Sequence, residues 1–234
     1  MIVHIVAGGP KDFLPDLRDF DGKDVYWIGV DKGVAYLFEH GLVPRTAVGD
    51  FDSLPPSEWR KYKEKIPDIK TFPPEKDKTD MELAVLEAMG KHPEKLRIFG
   101  ATGGRMDHFL GNIFLMGRFL REKTPVEMID RQNVVEWKTP GRYRLEGWPG
   151  KPYVSFLSLS PEVKGLSLEG FKYPLKNGHI SFGSTLCISN ELIGDSGTYS
   201  FTEGILLVIR SSDRPSGKAI FGGSEGKNAG ETIG

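Results

Sequence analysis

The sequence lacks the features of a secreted, membrane-spanning or nucleic-acid-coating protein. Its 234 residues include one cysteine, Cys187, which cannot form an internal disulfide and is typical of a reducing compartment. No segment approaches the ~20 apolar residues that a membrane helix needs. With 31 basic and 32 acidic residues, the net charge of −1 excludes a polycation that binds nucleic acid by neutralising its phosphates. No basic region precedes the apolar run Ile2–Ala7, so we expect a first buried strand instead of a signal peptide, in a cytoplasmic protein.

The composition is otherwise ordinary for a globular protein, with 38% hydrophobic and 27% charged residues. At about 150 residues per domain, the length allows one or two domains. Up to residue 131, short apolar runs alternate with helix-like segments, which favours an α/β, Rossmann-like fold with a mostly parallel sheet. The predicted strands are Ile2–Ala7, Val25–Val30, Ala47–Val48, Ile69–Phe72, Leu96–Phe99 and Val126–Ile129; the predicted helices are Lys32–His40, Ser57–Lys65, Met81–Met89 and His108–Glu122.

The pattern changes after Asp130 to short strand candidates separated by turn signals such as Pro140-Gly141 and Asn177-Gly178. Many short strands at regular spacing are typical of an all-β sandwich or barrel. We therefore expect an α/β domain over residues 1–131, a β-sandwich domain over 132–215, and a fraying glycine-rich tail over 216–234. The strand candidates are Val134–Trp137, Arg142–Leu145, Tyr153–Leu159, Gly165–Leu168, His179–Phe182, Leu186–Ser189, Gly197–Phe201 and Ile205–Ile209.

Three polar clusters follow predicted strands of the first half, where parallel α/β sheets bind ligands. The first is Gly49-Asp50-Phe51-Asp52-Ser53. Two carboxylates two residues apart in a loop can bind one Mg²⁺, which prefers oxygen ligands and keeps several waters. The structural alternative is an acidic turn in which the carboxylates accept hydrogen bonds from their own backbone.

The second cluster is Asp77-Lys78-Thr79-Asp80-Met81-Glu82. The spacing of Thr79 and Glu82 fits a capping box that opens the following helix, and acidic residues in a first turn also favour the helix dipole. The functional alternative places Asp77 and Asp80 beside the carboxylates of the first cluster. That arrangement concentrates negative charge and would need a cation.

The third cluster joins a strand to a helix and reads Gly100-Ala101-Thr102-Gly103-Gly104-Arg105-Met106-Asp107-His108. Such a turn offers backbone N–H groups and a positive helix end to phosphate oxygens, and Arg105 adds a guanidinium suited to phosphate. The structural alternative is a flexible connector with Asp107 as the helix cap. The loop lacks the Walker and GxGxxG signatures. The three clusters together fit metal-assisted phosphoryl transfer.

The order of these motifs resembles the thiamine pyrophosphokinase (thiamine diphosphokinase) family. The likeness runs over residues 2–213 and includes GDFDS, DKTD, GATGGRMDH and, in the β-rich half, the segments Gly170–Leu175 and Ile188–Glu191. The resemblance implies an ATP-dependent transferase, a kinase of thiamine diphosphate biosynthesis, that moves a diphosphoryl group to thiamine and releases AMP. It also implies a nucleotide-binding α/β domain, a β-sandwich, and a homodimer with active sites between the subunits.

The resemblance also assigns site residues. Asp50, Asp52, Asp77 and Asp80 would be catalytic and bind Mg²⁺. The residues that would bind ATP are Thr102, Gly103, Gly104, Arg105, Asp107 and His108. Ser189, Asn190 and Asp31 would bind thiamine. Asp31 matches the aspartate of the family's Asp-Gly-Gly turn, in which Lys32 replaces a glycine; a turn with positive φ at that position would disfavour lysine.

Two other functions remain open from the residues: a metal-dependent sugar-nucleotide transferase that uses Asp50 and Asp52, and a non-catalytic sensor of thiamine or a nucleotide. The transferase leaves the second and third clusters unexplained. The sensor needs no carboxylates in two separate segments. Which carboxylate is the general base is also open, because any of them could accept a proton late in the reaction.

Overall fold

The computed structural model describes residues 1–72, 77–121 and 124–215, which form two β-sheets with four α-helices. The strands are β1 Ile2–Val6, β2 Val25–Val30, β3 Thr46–Gly49, β4 Asp68–Thr71, β5 Lys95–Phe99, β6 Val126–Ile129, β7 Asn133–Lys138, β8 Gly141–Glu146, β9 Tyr153–Ser158, β10 Glu162–Glu169, β11 Leu175–Ser181, β12 Asn190–Glu191, β13 Ser196–Phe201 and β14 Leu206–Ser211. The helices are α1 Gly33–Glu39, α2 Pro56–Lys63, α3 Asp80–Met89 and α4 Met106–Met116, with 3-10 turns at Lys11–Phe13, Leu17–Phe20 and Gly117–Arg121.

The large sheet is mixed and has ten strands in the order β12-β9-β14-β7-β6-β5-β1-β2-β3-β4. The six strands from β6 to β4 are parallel, and the remaining pairs are antiparallel. The second sheet, β11-β10-β13-β8, is antiparallel and packs on the β9 and β14 end of the first through one buried cluster that includes Phe156 and Tyr199. The predicted α/β half and β-sandwich half are therefore present.

The two halves share a sheet. Antiparallel β6 and β7 form a hairpin in which Ile129 lies opposite Val134, so the large sheet continues past residue 131. The boundary that the sequence predicts near this residue lies in that hairpin, and the division into two domains stays a prediction. Its third part, residues 216–234, lies outside the described residues.

Helices cover both faces of the parallel strands because alternate strand residues point to opposite faces. On one face, apolar residues of α3 and α4 pack on Val3 and Ile5. On the other, Val6 packs with Tyr36 and Leu37 of α1. The strands and helices predicted for the first half are confirmed to within a few residues, except that the last helix continues after Met116 as a 3-10 turn; its predicted end at Glu122 lies outside the described residues. No described helix has the length and hydropathy to cross a bilayer.

Two predictions for the second half are wrong. The segment Leu186–Ser189 is a turn and not a strand, since Ser189 has φ +56° and Leu186 is 70% exposed. Only Cys187 of this segment is buried, and its carbonyl accepts a hydrogen bond from Phe156 N at 3.0 Å. Asn177-Gly178 does not separate strands either: it lies inside β11, where Asn177 has φ +50° and the pairing with β10 shifts register.

His4 is a buried, neutral core residue. Its ring lies edge-on to Trp27 and Phe99, at centroid distances of 4.6 and 5.4 Å, and neither ring nitrogen has a hydrogen-bond partner among the described residues. Burial, followed by the nearby Arg97, lowers the pKa of His4 to about 3, against the opposing effect of Glu127. Protonation of this histidine is therefore disfavoured by the fold.

We expect His4 to make the folded state sensitive to mild acid. Below pH 6.5 the unfolded chain protonates His4 while the folded protein does not, so between pH 7.5 and 4.5 the free energy of unfolding falls by about 2.5 kcal/mol from this residue. Urea unfolding across this range should show that loss in the wild type and in the exposed-site control His179→Gln, and not in His4→Phe. An unchanged pH dependence in His4→Phe would contradict the assignment.

Candidate active site

The carboxyl ends of the parallel strands contain a point at which the strand order reverses. From β1 the chain adds β2, β3 and β4 on one side and then β5 and β6 on the other. The loops after β1 and β5 meet there: Ala7 N donates to Phe99 O at 2.8 Å and Gly9 N to Gly100 O at 2.8 Å. Ligands of open α/β sheets bind at such a switch point.

Close approach of these loops requires glycine. A Cβ on Gly9 would lie 2.4 Å from the carbonyl oxygen of Gly100, and one on Gly100 would lie 2.3 Å from that of Ala7. The Ala7-Gly8-Gly9 turn was not among the residues predicted from the sequence for the site. Gly8 and Gly9, directly after the first strand, could have suggested a ligand-binding turn. That this turn lies beside the loop after β5 follows only from the pairing of β1 with β5.

The loop after β5 presents donors to a ligand. Gly103 and Gly104 have φ +75° and +67°, conformations that favour glycine. Thr102 is only 6% exposed, and its hydroxyl oxygen has no hydrogen-bond partner among the described residues. Because a buried hydroxyl without a partner costs about 1–3 kcal/mol, this atom indicates a place for a polar ligand or water.

Arg105 and Asp107 lie exposed at the start of α4. Arg105 occupies the N-cap position, so the alternative prediction of Asp107 as the cap is wrong. The guanidinium donates from Nε to Asp107 Oδ1 at 3.1 Å and from the terminal nitrogen to Oδ2 at 2.5 Å. Together with the backbone N–H of His108, this contact lowers the pKa of Asp107 to about 2. The pair holds the guanidinium beside the glycine loop.

The first acidic cluster lies against the turn that contains Asp31. Asp31 has φ +45°, and a Cβ on Gly49 would lie 1.8 Å from its Oδ1. Asp50 Oδ1 accepts a hydrogen bond from Asp52 N at 3.1 Å, so the acidic-turn geometry is present. The positive φ falls on Asp31 and not on Lys32, whose φ of −60° suits lysine. The glycine replacement therefore fits the turn.

The second acidic cluster opens α3. Thr79 Oγ1 accepts from Glu82 N at 3.1 Å, which confirms Thr79 as the cap, whereas the Glu82 carboxylate pairs with Arg118. Asp77 is exposed, and Asp80 is the first residue of the helix. Since α3 begins after β4 and packs back along the sheet, its first turn lies at the same edge as the other clusters. Within the described ranges, no three His, Cys, Asp or Glu side chains group as a metal site.

Ser189 and Asn190 lie at the far end of the large sheet. Asn190 is 2% exposed, and its amide accepts from Tyr173 N at 3.0 Å and donates to Tyr173 O at 2.8 Å. Ser189 is exposed, and its N–H donates to Ser155 Oγ at 3.0 Å. The Gly170–Leu175 and Ile188–Glu191 segments are thereby held together, with Asn190 as a brace and Ser189 at the surface.

The two parts of the predicted site do not meet within one chain. Through β9, β14 and β7, the strand register puts Glu191 at the same edge as Ile129, the carboxyl end of β6. Between β12 and β5, however, lie five strand spacings, about 24 Å. Thr102 and Ser189 therefore lie at the same edge of the sheet, but the distance between them is too large for one small substrate to bridge.

The structure therefore combines an α/β half, whose glycine-rich loops meet at the carboxyl edge of the parallel strands, with a β-sandwich half. A family model described as "Thiamin pyrophosphokinase, catalytic domain" matches residues 18–128, and one described as "Thiamin pyrophosphokinase, vitamin B1 binding domain" matches residues 142–206. The chain belongs to the thiamin pyrophosphokinase family.

Individual relatives agree over nearly the whole length. The chain is 47% identical over 211 residues to the thiamine pyrophosphokinase of Bacillus subtilis (strain 168), covering 90% of this chain and 99% of that one. The crystal structure of a Bacillus subtilis thiamine pyrophosphokinase superposes with a TM-score of 0.88 at 46% identity, over 92% and 100% of the two chains. The enzyme of Geobacillus thermodenitrificans gives 0.84 at 52% identity, over 91% and 98%.

Proposed function

We propose that this protein is a thiamine diphosphokinase, which transfers the diphosphoryl group of ATP to the hydroxyl of thiamine and releases AMP. The observation that carries the proposal is the match to both thiamin pyrophosphokinase family models, and the glycine loop at the switch point of the sheet gives the nucleotide a place to bind. We assign residues 1–131 to a Rossmann-like nucleotide-binding part and residues 132–215 to a thiamine-binding sandwich, and we place the enzyme in the cytoplasm.

The ATP phosphates bind at the loop after β5. The backbone of Gly103 and Gly104 and the hydroxyl of Thr102 donate to phosphate oxygens, as does the backbone at the start of α4, where His108 lies. Arg105 turns its guanidinium from Asp107 toward the phosphates, or contacts both groups at once, because its five N–H groups exceed what one carboxylate accepts.

The acidic clusters suit Mg²⁺ because its preferred ligands are carboxylate and phosphate oxygens. Asp50 and Asp52 would hold the ion with Asp77 and Asp80 beside them, since a nucleotide-bound Mg²⁺ needs only one or two protein carboxylates. When bound, Mg²⁺ would neutralise charge on the phosphates. The Asp31 carboxylate lies against Gly49, where a side chain would leave it no room, and it would bind thiamine.

In the reaction the thiamine hydroxyl oxygen attacks the β-phosphorus, the bond to the α-phosphate oxygen breaks, and AMP leaves. The hydroxyl proton passes to one of the site carboxylates. Positioning and electrostatic stabilisation supply most of the catalysis in phosphoryl transfer. The glycine-loop donors act where negative charge shifts toward the leaving AMP.

Thiamine binds at Ser189 with Asn190 as the brace, and a second copy of the chain brings it to the nucleotide. The 24 Å separation within one chain needs such a partner. Each chain exposes two apolar surfaces: an α4 stripe beside the glycine loop, formed by Met106, Leu110 and Phe114, and a sandwich patch near Ser189. The sandwich patch comprises Tyr173, Phe182, Leu186, Ile188 and Ile193.

A two-fold axis would place the stripe of each chain on the patch of the other. Exposed apolar surfaces of this kind mark interaction sites in soluble proteins. In a closed homodimer, the stripe and the patch of both chains would all be buried. The α4 stripe begins at Met106, next to Arg105 of the glycine loop, and the patch includes Ile188, next to Ser189. Such a homodimer therefore brings the two substrates together.

Product analysis tests the function. Purified protein incubated with thiamine, ATP and Mg²⁺ should yield thiamine diphosphate and AMP in equal amounts. Thiamine monophosphate with ADP would instead show γ-phosphoryl transfer. A folded protein that makes no thiamine product would favour the sugar-nucleotide transferase or the sensor, neither of which the family membership favours.

We expect Thr102→Val to raise stability and weaken nucleotide binding. Valine removes a buried hydroxyl without a partner, so the free energy of unfolding rises by about 1 kcal/mol without ligand. Loss of the donor should raise the Kd for ATP about 10-fold. Urea unfolding and calorimetry measure the two effects.

The matched control is Thr46→Val, a buried threonine at the opposite edge whose hydroxyl hydrogen-bonds to Tyr26 at 2.8 Å. This variant should lose stability and keep its affinity for ATP. Unchanged ATP binding in Thr102→Val would show that the Thr102 hydroxyl does not bind the phosphates.

A further inference from the structure

We propose that Lys32 is a phosphate-binding side chain for the nucleotide triphosphate. The inference rests on the proposed function and adds a residue at which this chain departs from the family's Asp-Gly-Gly turn. The residue lies between Asp31 and Gly33 at the carboxyl end of β2 and is exposed. Its backbone is helical, so nothing in the local conformation requires glycine or lysine there.

Lys32 packs on the turn that forms one wall of the switch point. A Cβ on Gly8 would lie 3.1 Å from the Cβ of Lys32, so the root of the lysine side chain lies directly on the loop after β1. The same loop is bonded to the phosphate loop, since Gly9 N donates to Gly100 O at 2.8 Å. Lys32 therefore extends from the wall next to the proposed phosphate site.

The ammonium group lies over the aromatic ring of Tyr36, with Nζ 5.8 Å from the ring centroid. The hydroxyl of Tyr36 donates to Gly9 O at 3.0 Å, so this ring bridges α1 and the glycine turn. In the described part of the chain, no carboxylate lies within ion-pair distance of Lys32. An exposed cation–π contact is worth only about 0.5–1 kcal/mol, which leaves the ammonium available to an anion.

The carboxylates at this edge would repel a triphosphate unless a positive charge, such as the Lys32 ammonium, lies nearby. The edge carries the five aspartates of the acidic clusters and the Asp31 turn, and Asp107 offsets part of the positive charge of Arg105. An incoming triphosphate is itself strongly anionic and would be repelled by those carboxylates. Lys32, which lies on the loop after β1, offsets that repulsion as a point charge, a common role of lysine in phosphate sites.

Direct binding of a nucleotide tests Lys32. The probe is α,β-methylene ATP, in which the bridge that the reaction breaks is replaced, measured by calorimetry with Mg²⁺ and without thiamine. The Kd should rise about 10-fold in Lys32→Gln and in Lys32→Gly, and less than 3-fold in Lys32→Arg. In turnover, KM for ATP should rise while KM for thiamine stays unchanged.

Lys63→Gln is the matched control, because Lys63 is an exposed lysine at the last residue of α2, away from the strand ends. It should bind the probe as the wild type does, and urea unfolding should show all variants folded. Wild-type affinity in Lys32→Gln and Lys32→Gly would overturn the role of Lys32 alone. A wild-type protein that binds no probe would overturn the proposed function and this inference with it.

Discussion

Asp50→Asn should lower kcat for thiamine diphosphate formation by about 1,000-fold, because it removes a carboxylate from the charge-stabilising part of the site. The fold should survive the change. Asp50 is exposed, and an asparagine oxygen can still accept the hydrogen bond from Asp52 N that closes the turn. The measurement is steady-state kinetics at several Mg²⁺ concentrations.

The Mg²⁺ dependence distinguishes a metal ligand from a residue that only shapes the loop. Excess Mg²⁺ should recover part of the lost activity in Asp50→Asn and less in Asp50→Asn/Asp52→Asn, where both carboxylates are gone. Asp24→Asn removes an exposed carboxylate from the opposite edge of the sheet and should leave kcat unchanged. Wild-type kcat in Asp50→Asn would contradict the metal role and reopen the sensor function.

Much of the nucleotide half follows from local sequence patterns. The short apolar runs of the first half predict β1 to β6, because a strand buried on both faces of a parallel sheet must be apolar throughout. Thr79 is recognisable as a cap from its spacing to Glu82 alone. The glycine loop is recognisable since Gly103 and Gly104 stand where a strand passes into a helix.

Other features depend on contacts between distant segments. No local pattern says that β7 pairs with β6 and so extends the parallel sheet into the sandwich. Leu186–Ser189 has the composition of a strand, but its surroundings turn Leu186 outward and bury Cys187. Whether Lys32 is compatible with the Asp31 turn could be decided only from the backbone, because the sequence does not show which residue has a positive φ.

The separation of the two proposed substrate regions is the least predictable feature and has the largest consequence. Thr102 and Ser189 each belong to a recognisable motif, but neither motif indicates how far apart the two residues lie in the fold. Only the order of strands between β5 and β12 shows that the regions share an edge but not a pocket. The proposed function therefore depends on a homodimer that brings the two regions together.

Mixing two inactive variants tests whether each active site is shared between two chains. Asp50→Asn should damage the proposed nucleotide region, and Ser189→Arg should block the proposed thiamine region with a bulky cation that repels cationic thiamine. Ser189 is exposed, so the arginine needs no space in the core. When the two variants are unfolded, mixed in equal amounts and refolded, half of the dimers are mixed and each contains one undamaged site, which restores about one quarter of wild-type activity.

The control mixture is Asp50→Asn with Asp52→Asn. Both changes lie in the nucleotide region, so every site of the mixed dimer keeps one damaged residue and activity should stay at the level of the separate variants. For Asp50→Asn with Ser189→Arg, we expect thiamine diphosphate formation near one quarter of the wild-type rate. No recovery, with mixed dimers verified by co-purification through two tags, would contradict a site shared between two chains.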